Sequence, residues 1–84
     1  MEPQTFRARL GEATCTAIQV DRANLAAVAA WCGGHTWAAT VVIPTESGGE
    51  VVAAPGEWVA RVGGRTWHSV WSDPRFTDMW EVVA

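Results

Sequence analysis

Four side chains in this sequence have the types that bind metals or act as nucleophiles: Cys15, Cys32, His35 and His68. Sulfur and imidazole ligands together could complete a tetrahedral zinc site, and Cys32-x-x-His35 has the spacing of one half. Cys15 and His68 supply no second paired half, and Cys32 falls on the apolar stripe of a helix. The expectation is no metal, no cofactor, and two reduced, buried thiols. Hydrolysis has no better support. His68 and Ser69 are neighbours on a strand, so they point to opposite faces, and there is no Gly-x-Ser-x-Gly elbow. Asp73, Asp78 and Glu81 gather near the C-terminus, where Asp73 reads as a helix-start residue and the others as a solvated face. Gly33-Gly34 follows a helix, whereas a phosphate loop precedes one. No catalytic residue is assigned, and the chain reads as a non-enzyme.

Binding is the better-supported class. The 84 residues include six Trp and no Tyr, with 49% hydrophobic and only 18% charged residues. A domain this small has difficulty burying six indoles. Exposed tryptophans are common interface anchors, and Trp37, Trp71 and Trp80 are the candidates, either for a partner protein or for a symmetric homodimer. Arg61 and Arg65 flank a glycine corner near Trp67, a combination that can stack the bases of a single strand. Single-stranded nucleic acid is therefore the second reading. Against it stands the net charge of −3, from six arginines and nine acidic residues, which lacks the footprint of a duplex binder. The N-terminal residues are polar with no apolar segment after them, and no run is long enough to span a membrane. A cytoplasmic protein is expected.

The elements that would position these residues read as follows. The stretch Val41 to Trp67 alternates apolar strand-forming runs with turn residues, as successive antiparallel strands do. Residues 1–13 have no clear period beyond the alternation of Phe6, Ala8 and Leu10 with Arg7 and Arg9, which reads either as a short strand ended by Gly11 or as part of a loose arm over 1–13. In Thr14 to Val20, Thr16, Ile18 and Val20 share one face and Cys15, Ala17 and Gln19 the other. Asp21 stands at an N-cap position before a helix from Arg22 to Cys32, striped by Leu25, Val28, Ala29 and Cys32 and stopped by Gly33-Gly34. Thr36 to Pro44 reads as one strand with Trp37, Ala39, Val41 and Ile43 on a face. Glu50 to Ala54 returns after the Glu46-Ser47-Gly48-Gly49 turn.

Glu57 to Val62 and Arg65 to Val70 read as a hairpin across Gly63-Gly64. That register sets Trp67 over Ala60 and Trp58 beside Ser69. It puts Trp58, Ala60, Val62 and Trp67 on the core side, with Glu57, Val59, Arg61, Thr66 and His68 on the wet side. Ser72-Asp73-Pro74 starts one short helical turn, and Trp80 to Val83 closes as a last strand. The fold class is α+β: a single domain over 1–84, with one helix on a mainly antiparallel sheet of about five strands.

Several of these segments carry a resemblance. Trp31-Cys32-Gly33-Gly34, Val42-Ile43-Pro44-Thr45 with Gly48, Pro55-Gly56-Glu57-Trp58-Val59, and Phe76 followed by Trp80-Glu81 occur in order. The set resembles short proteins of tailed bacteriophages and prophages, many actinobacterial. Glu57 stands where Asp is usual in that pattern and Trp80 where Tyr is usual. The stretch from Gly64 to Arg75 is longer than its counterpart. The resemblance implies a phage or prophage origin and hence a bacterial cytoplasm. Taken with the absence of a catalytic site and the surplus of tryptophan, it leads to the expectation of a small accessory protein that binds a host or phage protein, or itself. It implies no catalytic residue.

Overall fold

The computed structural model describes residues 2–83, and its framework is two antiparallel sheets with two helices. The first strand, β1 (Gln4–Ala8), pairs with β2 (Thr14–Gln19) on one side and with β8 (Trp80–Val82) on the other. Residues 4–8 are thus an interior strand and not a loose arm. On its far side β2 pairs with β6 (Trp58–Val62), which pairs with β7 (Ser69–Trp71), giving the order β7-β6-β2-β1-β8. A second sheet holds β3 (His35–Trp37), β4 (Thr40–Pro44) and β5 (Glu50–Ala53) in that order. The α+β class therefore stands, with two sheets in place of one and two helices in place of one.

Around β2 and β6 the five-stranded sheet is buried on both faces, and β2 shows why. Its Cys15 and Ala17 belong to one apolar cluster, with Phe6, Ala60, Phe76 and Trp80. Its Ile18, and Val20 just beyond the strand, belong to a second, with Val28, Cys32, Val41, Ile43 and Val59. Strand alternation sends the two sets to opposite sides. Helix α1 (Leu25–Cys32) and the three-stranded sheet supply the second layer, and α2 (Asp73–Met79) supplies the first. Val59, expected on a wet face, is fully buried because that face is the floor of the second layer.

The Val41–Trp67 stretch does not form one meander. The Pro55-Gly56 corner carries the chain from β5 in one sheet to β6 in the other. Gly56 (φ 96°) donates its N–H to Val20 O at 2.8 Å. Glu57 fixes the same corner: its carboxylate accepts the Ala54 N–H at 2.8 Å. The acidic position of the Pro-Gly-Glu-Trp segment is in this way a turn brace.

Asp21 braces a turn ahead of α1, accepting from the N–H groups of Ala23 and Asn24 at 2.7 and 2.9 Å. The helix itself begins at Leu25, three residues later than expected. Buried Asn24 ties this entry to the sheet, donating Nδ2 to Gln19 O at 2.9 Å and accepting the Asp21 N–H at 2.8 Å.

Two further registers differ from expectation. The strand expected over Thr36–Pro44 breaks at Ala38-Ala39 into the β3–β4 hairpin, with Trp37 opposite Thr40. Both alanines have positive φ, 48° and 59°, so Trp37 and Val41 do not share one continuous strand face. A two-residue hairpin loop favours this left-handed pair because it matches strand twist, although Cβ atoms make it costly. Replacing Ala38→Asn together with Ala39→Gly should stabilise the protein by about 1–2 kcal/mol, read as a higher urea midpoint at unchanged m-value.

The second difference is in β6–β7. Arg65 N–H reaches Val62 O at 3.0 Å, so the glycine turn forms. Gly63, however, gives its N–H to Thr14 O at 2.8 Å, and the chain leaves the ladder until Ser69 meets Ala60 and Trp71 meets Trp58. The register is two residues from the expected one. Trp67 leaves the core side as a result and is 42% exposed.

Candidate functional site

The residues that leave the ladder at the glycine corner make one wall of a surface groove of about 830 Å³. Arg65, Thr66, Trp67 and His68 come from this segment, and Ser69 and Trp71 from β7. The turn after β1 brings Leu10, and the end of α2 brings Met79 and Trp80. The rim is apolar and open: Leu10 is 96% exposed and Met79 50%. Strand β1 ends at Ala8, which strands Leu10 in a turn instead of on a sheet face.

Trp71 donates Nε1–H to Ser69 Oγ at 2.9 Å, and that hydroxyl donates to Ala60 O at 3.3 Å. The Nε1–H of buried Trp80 has no acceptor, and His68 Nε2 has no partner. The Arg75 guanidinium lies 5.8 Å from the centre of the Trp71 ring, within cation–π range. Among the described residues the ion pairs join Arg7 and Arg9 to Glu81, and none involves Arg61, Arg65 or Arg75. The acidic residue on the groove lining is Glu46.

His68 stands edge-on to Trp31, ring centres 4.5 Å apart. Burial pushes its pKa below the ordinary histidine value, and the charge of Arg61 pushes it further in the same direction. A lowered folded pKa means that the unfolded chain takes up the proton first as pH falls. Stability contributed by neutral His68 is present above pH ~6.5 and is lost as the pH drops through the folded value. His68→Gln should flatten the acid limb of a stability-against-pH curve measured by urea unfolding.

The candidate residues separate into four groups. Arg65, Trp67 and Trp71 meet at the groove. Arg61 lies on exposed β6 surface, near enough to His68 to act on its charge. Trp37 is 69% exposed but belongs to the three-stranded sheet. Trp80, expected as an interface anchor, is a core residue at 6% exposure, because β8 pairs with β1 and turns the indole under α2. Leu10 and Met79 were not singled out from the sequence. Gly11 marks the end of an alternation that includes Leu10, so no local signal placed the end of the strand at Ala8.

The thiols and imidazoles do not come together. Cys15 and Cys32 lie in different apolar clusters. Burial pushes the Cys15 thiol up to about 11 and raises that of Cys32, so neither is a thiolate nucleophile at neutral pH. Among the described residues no three His, Cys, Asp or Glu side chains are grouped to hold a metal ion, and no helix is long and apolar enough to cross a membrane. No family model, curated protein or solved structure matches the chain.

Proposed function

We propose that this chain is a protein-binding module whose site is the groove at the glycine corner, acting as an accessory protein of phage or prophage origin in a bacterial cytoplasm. The observation that carries the reading is the exposure of Leu10, Trp67 and Met79 around one concave surface. Contiguous exposed apolar side chains of this kind mark interaction surfaces. Aliphatic rims suit the side chains of a polypeptide, whereas a single-stranded nucleic acid is held by stacked rings along a basic track. The origin rests on the Trp-Cys-Gly-Gly, Ile-Pro-Thr and Pro-Gly-Glu-Trp segments and their order.

A photo-crosslinking residue placed at position 10 tests the reading in expressing bacterial cells. The expected result is a discrete protein adduct that disappears in the Trp67→Ala background, with the variant still folded by circular dichroism. Adducts to nucleic acid would instead favour the Arg61, Arg65 and Trp67 reading. Self-association has its own observation, the exposed Trp37 and Val52 on the three-stranded sheet. Sedimentation equilibrium checks it, with a mass of 9.1 kDa at all concentrations excluding a dimer.

A further inference from the structure

The segment between β6 and β7 is held at few points. Among the described residues, Thr66, Trp67 and His68 make no backbone–backbone hydrogen bond, and the ladder resumes only at Ser69. Arg65, Thr66 and Trp67 are exposed, and His68 alone of the four is partly buried. What fixes the far end of the segment is the His68 ring, edge-on to Trp31 at 4.5 Å. Trp31 is itself packed on the apolar cluster of α1 and the three-stranded sheet. At the near end stand Gly63 and Gly64, the latter at φ 82°, where the backbone has the most freedom to turn.

The pinning contact is sensitive to a proton. His68 Nε2 is buried and has no hydrogen-bond partner. A neutral ring can keep its N–H on Nδ1 and leave Nε2 a bare lone pair, whereas the imidazolium carries N–H at both nitrogens. A buried charged donor with no acceptor is costly. The groups around the ring do not offset that cost. Arg61 of β6 acts on it with like charge, and Arg65 lies on the same segment. Helix α1 brings no charged side chain, its Cys32 being a buried neutral thiol, and β7 brings no titratable one. Glu46, on the groove lining from the β4–β5 turn, makes no ion pair with His68.

We infer that residues 65–68 form a strap pinned by His68 on Trp31 and released by acid, swinging on Gly63-Gly64 while both sheets stay folded. The inference goes beyond the binding reading and needs no occupant of the groove. Because the strap is the wall that carries Arg65 and Trp67, its release takes the groove apart. Burial and the Arg61 charge both lower the pKa of the ring, which puts the change below pH ~6.5, the ordinary histidine value.

Nuclear magnetic resonance on the whole chain tests this. At neutral pH the His68 and Trp31 ring protons should show cross-peaks, and residues 65–68 should be as rigid as the strands by amide relaxation. As the pH falls through the titration of His68, those cross-peaks should vanish. The order parameters of 65–68 should drop below about 0.6, while β2 and β6 keep theirs. His68→Phe keeps a ring on Trp31 without a proton to gain, and its strap should stay rigid over the same range. A strap already mobile at neutral pH overturns the inference. So does His68 titrating above its ordinary value with its cross-peaks intact, which would mean a cation held on the indole. Loosening of the strap in His68→Phe at the same pH, or loss of β2 and β6 in the same step as the strap, overturns it equally.

Discussion

Gly34→Ala should cost about 3 kcal/mol or more and leave little folded protein at 37 °C. A Cβ on Gly34 would stand 2.1 Å from the carbonyl oxygen of Val42 and 3.1 Å from its carbon. Both are backbone atoms of β4, so no rotamer change relieves the clash. The helix end would have to move off the three-stranded sheet, opening the cluster that contains Val28, Cys32, Val41 and Ile43. The neighbouring glycine gives the control. Gly33 caps α1 at φ 72° with nothing within 4 Å of a built Cβ. Gly33→Ala therefore meets conformational strain alone, about 1–2 kcal/mol. Urea unfolding of the two variants separates the roles. Equal losses would mean that the close approach of Gly34 to β4 does not constrain the fold.

The same pair shows what could be read from the chain and what could not. A helix stopped by Gly33-Gly34 was legible because an apolar stripe and a left-handed residue are local signals. Why two glycines stand there is not local: the second exists for a strand that arrives eight residues later. The alternation in Thr14–Val20 was likewise correct on both faces, yet it could not say that both faces would be covered. Covering both takes a second sheet and α2, and these are brought by sequence-distant segments. The Ala38-Ala39 turn was invisible, since alanine announces no turn and adopts positive φ only under tertiary constraint. The slipped hairpin was missed for a related reason. The Gly63-Gly64 signal fixed a turn, but the register also depends on Gly63 bonding to Thr14 on another strand.

The groove was half legible. Arg65, Trp67 and Trp71 were candidates by type, although for two different partners, and no pattern linked them to Leu10 or Met79. What joins them is the departure of residues 65–68 from the ladder together with the early end of β1. Trp80 was misjudged because it lies outside the Glu57–Val70 hairpin and flanks the irregular segment from Ser72 to Met79. Its burial depends on β1 accepting β8 as a sheet neighbour.

Phe76→Ala should be the most damaging single truncation, about 3–5 kcal/mol, against a total stability of about 5–10 kcal/mol for a domain of this size. Phe76 has no exposed surface and is the sole fully buried residue of α2. Its ring stacks on Trp58 at 4.3 Å and meets Phe6 edge-on at 5.0 Å, with Trp71 at 6.3 Å and Trp80 at 6.4 Å. Those partners come from β1, β6, β7 and β8, so one side chain joins four of the five strands of the large sheet. The polar ties of α2 sit at its two ends: Ser72 caps its start with a 3.4 Å bond from Arg75 N–H, Asp73 accepts from Trp58 Nε1 at 2.7 Å, and Arg9 donates Nε to Thr77 O at 2.9 Å and its backbone N–H to Met79 O at 3.0 Å. Without the ring, α2 is a seven-residue helix too short to persist alone, and the indoles lose the surface they pack on. The expected observation is a collapse of the near-ultraviolet tryptophan dichroism with part of the far-ultraviolet signal retained. Phe76→Leu keeps most of the volume and should cost only about 1.5 kcal/mol. A Phe76→Ala protein with wild-type near-ultraviolet dichroism and a urea midpoint close to that of Phe76→Leu would show that α2 is not what closes this face of the sheet.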